Sequence, residues 1–217
     1  MTLSEEIARF QERMAGQIPA GISTIMKSST TTLAKSGILD KAKSVGDKAP
    51  AFSLPNSRRE IISSESLLKK GPLVISFYRG SWCPYCNLEM KALQTALASI
   101  EKLGATLVAI SPSLPEKSTG LGEKHSISFE ILSDIGNKVA REYNVVFVMA
   151  NELRPIYSQF GFDIENDTGN NSYEIPIPAT YVVDTDGTIV SAFVDVDHTK
   201  RMEPSSIIET LESIARK

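Results

Sequence analysis

The chain has 217 residues, of which 41% are hydrophobic and 23% charged, the balance of an ordinary globular protein. Its formal net charge of −3 creates no field that would gather nucleic acid, so we expect no nucleic-acid partner. No apolar run approaches the roughly 18–20 residues of a membrane span. The first residues lack the basic start and the apolar stretch of a secretory signal. We therefore expect a cytoplasmic protein with no membrane partner.

The first 45 residues predict a helical N-terminal extension. An apolar stripe recurs there at spacings of three and four residues, which predicts an amphipathic helix of about 15–18 residues. The stripe consists of Leu3, Ile7, Phe10, Met14 and Ile18. We expect a short second helix near residues 33–43. The stripe would pack on the protein's own core or bind a partner or second copy, and the sequence leaves both open.

The middle of the chain alternates strand and helix. Pro72–Tyr78 is a continuous apolar run with β-branched and aromatic residues, which predicts a buried strand. A helix should follow from about Pro84, because proline is tolerated in a first turn, and Gly104 should close it. Ala105–Ser111 is the next buried strand. Strand, helix and strand over about 40 residues form a βαβ unit with parallel strands and a right-handed crossover.

The last third of the chain adds further elements. Residues 129–145 suggest a short strand and a helix. An Asp-Gly pair at residues 186–187 lies between two apolar runs, which predicts a hairpin and antiparallel strands. The segment Asn144–Asn171 mixes apolar and polar patches, and we interpret it as an insertion or flap. An amphipathic helix should close the chain.

Cys83 and Cys86 are the only cysteines, and they lie three positions apart at the predicted junction of strand and helix. Helical geometry puts such positions on one face, close enough for a disulfide. Free backbone N–H groups and the positive end of the helix dipole stabilise a thiolate, which is the nucleophilic form of cysteine. Arg79 adds a nearby positive charge. A redox pair, which needs no metal and no organic cofactor, is the favoured interpretation.

Three other interpretations of the cysteines are weaker. A zinc site needs about four ligands, and only His125 and His198 are available to complete it, at spacings that match no known zinc pattern. Two unrelated buried thiols would be a coincidence at this spacing. A structural disulfide is unusual in a cytosolic protein. We predict no metal site, and we interpret His198, with Asp197, as part of a solvated loop.

A family resemblance is carried by four stretches: VGDKAPAFSLPN, GATLVAISP, ISFEILSDIGNKVAREYNV and ATYVVDTDGTIVSAF. From about Val45 to Met202 the chain resembles the peroxiredoxin-like branch of the alkyl hydroperoxide reductase and thiol-specific antioxidant family. The resemblance implies an α/β, thioredoxin-like fold over residues 46–217, with a central mixed β-sheet flanked by helices, after the extension of residues 1–45. Thioredoxin-like domains carry a cis-proline beside the cysteines. Pro178 occupies that position, where it would expose the backbone of Ile177 to a partner strand.

The family's motif runs Pro-x-x-x-Thr-x-x-Cys, with the peroxidatic cysteine last. Laid on this sequence without a gap, the motif puts Cys86 at the peroxidatic position, Cys83 at the threonine and Arg79 at the proline. Glu89 matches a glutamate that follows the peroxidatic cysteine by three residues. The family's activating arginine falls on Pro178. The chain therefore keeps the cysteine and loses the threonine, the proline and the second arginine, whose charge we expect Arg79 to replace.

Two mechanisms follow, and they exchange the roles of the cysteines. In a thiol-dependent peroxidase, Cys86 attacks hydrogen peroxide or an organic hydroperoxide and condenses as a sulfenic acid with Cys83, and thioredoxin or a similar thiol donor reduces the disulfide. In a thioredoxin-like thiol–disulfide oxidoreductase, Cys83 attacks a substrate disulfide and Cys86 resolves it. A non-enzymatic redox sensor is a third reading. We favour the peroxidase, with Pro178, Trp82 and Glu89 at the substrate site and a homodimer as the default assembly.

Overall fold

The computed structural model describes residues 1–216, apart from the side chain of Lys124, so Lys217, the last residue of the predicted domain, lies outside the described residues. The strands in chain order are β1 (Ser53–Pro55), β2 (Ile61–Ser63), β3 (Leu73–Phe77), β4 (Thr106–Ser111), β5 (Glu130–Ser133), β6 (Val146–Val148), β7 (Glu174–Pro176), β8 (Ala179–Val183) and β9 (Ile189–Val194). The helices are α1 (Leu3–Ala15), α2 (Ala20–Ala34), α3 (Ile38–Lys41), α4 (Ser64–Leu68), α5 (Pro84–Lys102), α6 (Pro115–His125), α7 (Lys138–Glu142), α8 (Leu153–Gln159), α9 (Ile164–Thr168) and α10 (Pro204–Ala215).

A five-stranded mixed sheet in the order β5-β4-β3-β8-β9 forms the centre of the molecule. Strands β3, β4 and β5 are parallel, whereas β8 runs antiparallel to β3 and β9 antiparallel to β8. The predicted βαβ unit is confirmed as β3–α5–β4. The Asp-Gly pair makes the predicted turn between β8 and β9, where Gly187 takes the positive φ of 83° that favours glycine.

The two faces of the sheet carry two separate hydrophobic clusters, because side chains alternate along a strand. Along β3, Val74 points into a cluster with α5 and α10, and Ile75 and Phe77 point into the opposite cluster. Both cysteines belong to the α5 cluster. The reactive pair is therefore part of the packed core of one face. Within residues 1–216, no helix has the length and apolar character to cross a membrane.

The N-terminal extension is helical, as predicted, but its division into helices differs. Four of the five stripe residues lie in α1, which ends at Ala15, before Ile18. Helix α1 starts with a capping box in which Thr2 and Glu5 satisfy each other's backbone N–H groups. The second helix is not the short one expected near residues 33–43. Helix α2 begins after Pro19 and ends at Ala34, and α3 alone lies wholly within the predicted range, because Gly37 with φ 75° separates it from α2.

The segment Asn144–Asn171 is a structured insertion. It contributes β6, which pairs antiparallel with β7, and the two short helices α8 and α9. The carboxylate of Asp167 fixes it to the rest of the chain, since it accepts hydrogen bonds from the Oγ atoms of Ser81 at 3.1 Å and Ser113 at 2.5 Å. Ser81 lies two residues before Cys83. The insertion therefore holds the loop that carries the cysteines.

Candidate active site

The cysteines lie where the chain passes from β3 into α5. Cys83 is the N-cap residue of α5 and keeps an extended backbone, and Pro84 starts the helix. Cys86 then falls in the first turn, as the sequence predicts. The approach to this turn requires Gly80, whose φ is 149° and where a Cβ atom would lie 2.3 Å from Nε1 of Trp82. The indole thus packs directly against the backbone ahead of the pair.

Each cysteine sulfur lies beside an arginine. Both cysteines are free thiols, with exposed fractions of 1% for Cys83 and 0% for Cys86. Nη1 of Arg79 is 4.0 Å from Sγ of Cys83. Nη2 of Arg201 donates a hydrogen bond to Sγ of Cys86 at 3.2 Å. Two positive charges therefore face a pair of sulfurs that solvent hardly reaches.

Arg201 is held in place by the buried carboxylate of Glu89. Nε of Arg201 donates to Oε2 of Glu89 at 2.5 Å, and Oγ of Ser76 donates to the other carboxylate oxygen at 3.2 Å. Nη1 of Arg201 also donates to the main-chain oxygens of His198 at 2.6 Å and Lys200 at 2.7 Å. Four of the five donors expected of a guanidinium thus have defined acceptors, including the sulfur of Cys86.

Arg79 occupies an aromatic cage on the other side of the pair. Its Cζ atom lies 4.9 Å from the ring centroid of Trp82 and 5.4 Å from that of Tyr157. Nη2 donates to the hydroxyl of Tyr157 at 3.0 Å. The side chain is 3% exposed, so its charge acts on Cys83 with little screening by solvent.

The surroundings give the two thiols opposite acidities. Burial alone raises the pKa of Cys83, but a hydrogen bond from Cys86 and the charges of Arg79 and Arg201 outweigh it and lower the pKa from 9.0 to about 5. Burial and the neighbouring Cys83 raise the pKa of Cys86 well above its usual value. Burial also raises the pKa of Glu89 to about 7, against the opposing charge of Arg201. The surroundings therefore favour the thiolate on Cys83 and the thiol on Cys86.

A cavity of about 430 Å³ opens onto Cys83. Its lining is mostly apolar and aromatic, with polar groups from Gln17, Arg79 and His198. The other lining residues are Phe10, Met14, Ile18, Met26, Trp82, Pro84, Tyr85, Tyr157, Phe160 and Phe162. Cys86 is not among the lining residues, and its sulfur is covered and bound by Arg201.

The prediction of a solvated loop around His198 is wrong. The imidazole is partly buried, lines the cavity and packs edge-on against the ring of Tyr85, with the centroids 5.4 Å apart. Burial, with the charges of Arg79 and Arg201, lowers its pKa well below the usual value, so the ring is neutral. The loop is drawn inward because Arg201 binds the carbonyl of His198.

The prediction of a cis bond at Pro178 is also wrong, because residues 1–216 contain no cis peptide bond. The N–H of Ile177 donates to the carbonyl of Val145 at 2.8 Å, and the carbonyl of Pro178 accepts from Asp195 at 3.3 Å. These bonds continue the extended path from β7 into β8. The backbone of Ile177, which is 0% exposed, is therefore engaged within the chain. Pro178 lines a second cavity, of about 600 Å³, which Arg79 also lines.

Sequence reasoning missed Arg201, the cation closest to Cys86. The two residues are 115 positions apart, and no spacing rule connects a loop after β9 with the start of α5. One signal was available. The family motif requires a second arginine, and the gapless alignment found only Pro178 at its position. A search for an arginine in the loops that follow the late hairpin would have reached Arg201.

Comparisons with known proteins agree with this fold. The AhpC/TSA family model matches residues 45–192. A putative peroxiredoxin bcp of Haemophilus influenzae is 32% identical over 102 residues, which cover 47% of this chain and 65% of the relative. Peroxiredoxin Q of Sedum lineare is 32% identical over 119 residues, or 55% of this chain and 63% of the relative. The chain thus spans slightly less than two thirds of the length of these relatives.

Solved structures share the fold. Peroxidoxin BcpB of Mycobacterium tuberculosis superposes with a TM-score of 0.62 at 21% identity, covering 79% of this chain and 97% of the other. A peroxiredoxin-like protein of Aquifex aeolicus gives a TM-score of 0.62 at 17% identity, covering 78% and 86%. Because the family model matches well over half of the sequence, the resemblance seen in the motifs is confirmed, and the chain belongs to the AhpC/TSA family.

Proposed function

We propose that the protein is a thiol-dependent peroxidase that reduces hydroperoxides with Cys83 and Cys86. One observation carries the proposal: two buried sulfurs each lie beside a guanidinium, and the cysteine nearer the surface, Cys83, lines a small, mostly apolar cavity. A neutral hydroperoxide can enter such a cavity. The negative charge that develops on the departing oxygen then meets fixed positive groups in a site of low dielectric constant.

In the first step, the thiolate of Cys83 attacks the terminal oxygen of the hydroperoxide ROOH. An S–O bond forms and the O–O bond breaks, which leaves a sulfenic acid on Cys83 and an alkoxide RO⁻. The thiol of Cys86 gives its proton to the alkoxide, which leaves as the alcohol. We assign the attack to Cys83 because its sulfur lines the cavity and its pKa is lowered to about 5. This assignment reverses the one implied by the family motif.

In the second step, the new thiolate of Cys86 attacks the sulfur of the sulfenic acid. A disulfide forms, and hydroxide leaves and takes up a proton to become water. Two external thiol groups then reduce the disulfide and restore the pair. Each cycle converts one hydroperoxide and two thiols into an alcohol, water and one external disulfide. We propose thioredoxin or a similar thiol as the donor.

The other predicted site residues differ in how directly they act on the sulfurs. Arg79 stabilises the thiolate and the departing oxygen, and Trp82 fixes the position of Arg79 from one face. Glu89 acts on Arg201 and does not line the cavity, so we propose it as a positioning residue. Pro178 shapes the second cavity, next to Arg79.

A thiol–disulfide oxidoreductase is the second candidate. The lowered pKa of Cys83 at the start of a helix favours it, because this is also what disulfide exchange needs. Two features argue against it. The sulfur of Cys83 is almost completely covered, and the N–H of Ile177, which would pair with a substrate strand, already binds Val145. In this reduced conformation a folded protein disulfide does not reach the sulfur of Cys83, whereas thioredoxin acts on the oxidised pair.

An assay of both activities tests the proposal. The reduced protein is mixed with hydrogen peroxide, cumene hydroperoxide or insulin, with dithiothreitol or thioredoxin as the donor. We expect hydroperoxide consumption that Cys83→Ser abolishes and that the exposed α5 variant Lys91→Ala leaves unchanged. Insulin reduction without hydroperoxide consumption would replace the proposed function by the second candidate.

Three further features belong to this proposal. We place the protein in the cytosol, where thiol donors keep cysteines reduced. We propose a homodimer, the commonest soluble assembly, which light scattering measures directly. We also propose residues 1–45 as an extension to a domain of residues 46–217, and the start of the family match at residue 45 supports that boundary.

A further inference from the structure

One wall of the cavity at Cys83 comes from outside the region that matches the family. Five cavity residues precede residue 45: Phe10 and Met14 belong to α1, Gln17 and Ile18 follow it, and Met26 belongs to α2. The ring of Phe10 packs edge-on against Tyr85, which lies between the two cysteines, with the centroids 5.2 Å apart. The extension thus contributes directly to the space in front of the reactive sulfur.

This wall is fixed to the rest of the protein at its far end. Leu3 and Ile7 are buried, with exposed fractions of 3% and 7%. The backbone N–H groups of Leu3 and Ser4 donate to the carboxylate of Glu203 at 3.1 and 2.7 Å. Glu203 is the residue at the N-cap position of α10 and follows Arg201 by two residues. Helix α1 is therefore held at the site by buried apolar side chains and by hydrogen bonds to Glu203.

The opposite wall is aromatic, and the reactive end is polar. Trp82, Tyr157 and Phe162 form that wall, with Trp82 and Phe162 5.6 Å apart and Tyr157 and Phe162 5.8 Å apart between centroids. The deep end presents Cys83 and Arg79. The cavity thus suits a molecule with one polar end and an apolar body. Its volume of about 430 Å³ lies in the range of small-molecule sites, far above what hydrogen peroxide needs.

We propose that helix α1 determines substrate specificity, by forming the wall that binds the apolar body of an organic hydroperoxide while the peroxide group reaches Cys83. This inference rests on the proposed peroxidase function. The reaction at the sulfur is the one given above, with ROOH converted to ROH and water. Apolar contact with Phe10 and Met14 acts on the group R, so it favours bulky hydroperoxides and has no effect on hydrogen peroxide, which lacks such a group.

The test compares kcat/KM for cumene hydroperoxide with kcat/KM for hydrogen peroxide. We expect the native protein to prefer cumene hydroperoxide by about tenfold or more, the effect of one or two apolar groups in a pocket. Gln17→Trp changes an exposed residue at the rim and narrows the cavity. Phe10→Ala removes part of the wall. Each should lower the ratio about fivefold or more, whereas Glu12→Ala, exposed on α1, should leave it unchanged.

The outcomes separate this inference from the function on which it rests. A ratio that stays the same in Gln17→Trp and Phe10→Ala, in a protein that consumes both hydroperoxides, overturns the role of α1 alone. Absence of any hydroperoxide consumption overturns the proposed function instead. Because Phe10→Ala could loosen α1, its circular dichroism melting curve is compared with that of Glu12→Ala. If Phe10→Ala melts at a lower temperature than Glu12→Ala, the ratio measured for Gln17→Trp alone decides the test.

Discussion

Removal of the charge of Arg79 should raise the pKa of Cys83 by about two to three pH units. Nη1 of Arg79 stands 4.0 Å from Sγ of Cys83, and both side chains are buried. Unit charges about 4 Å apart interact by about 4 kcal/mol at an effective dielectric constant of 20. Since about 1.4 kcal/mol corresponds to one pH unit, this interaction accounts for up to about three units. Arg79→Met should therefore bring the pKa of Cys83 from about 5 to about neutrality or slightly above.

The ultraviolet absorbance of the thiolate, followed against pH, measures this change. The rate of alkylation by iodoacetamide at each pH gives an independent value. Arg79→Lys keeps the charge and should raise the pKa less, whereas Tyr157→Phe removes only the hydroxyl that Arg79 binds and should change it least. If Arg79→Met titrates at the same pH as the native protein, the charge of Arg79 does not stabilise the thiolate, and its assigned role is wrong.

Two other buried groups give further predictions. Arg201→Met should lower the free energy of unfolding by about 3–5 kcal/mol at pH 8, because it leaves the carboxylate of Glu89 buried without a cation. The loss should be smaller at pH 5, where Glu89 is largely protonated and leaves no unpaired charge. Burial raises the pKa of Glu89 from 4.5 to about 7. The stability linked to its proton is therefore fully present below pH 4.5 and is lost as the pH rises through 7. Urea unfolding at both pH values measures this, and an equal loss at pH 5 and 8 would contradict it. Asp167→Ala should cost about 1–3 kcal/mol, because the hydroxyls of Ser81 and Ser113 lose their acceptor, and Asp167→Asn should restore part of it. Equal unfolding midpoints for Asp167→Ala and the native protein would show that this contact contributes nothing.

The elements near the cysteines could be predicted from the sequence because local patterns specify them. The apolar run of β3 and the proline at the start of α5 each act within a few residues. Helix α2 was missed because none of its residues is buried, so it has no strong apolar stripe to detect. Its position between Pro19 and Gly37 is known only from the structure.

The electrostatics of the site depend on contacts between distant segments. Arg201 reaches Cys86 from a loop after β9, and the trans bond at Pro178 follows from hydrogen bonds to Val145 and Asp195. The sequence motif put the attack on Cys86, since it takes account only of order along the chain. The position of the cavity, which determines which sulfur a substrate meets, arises when α1 and α8 close around Cys83.

The central claim is that Cys83 attacks and Cys86 resolves, and trapping the sulfenic acid tests it most directly. Cys86→Ser and Cys83→Ser are each mixed with one equivalent of cumene hydroperoxide in the presence of dimedone, and mass spectrometry locates the adduct. A serine hydroxyl at position 86 can still donate a hydrogen bond to the thiolate. We predict a rapid adduct on Cys83 in Cys86→Ser and almost none in Cys83→Ser. A rapid adduct on Cys86 in Cys83→Ser, with Cys86→Ser inert, would contradict the account and restore the assignment of the family motif.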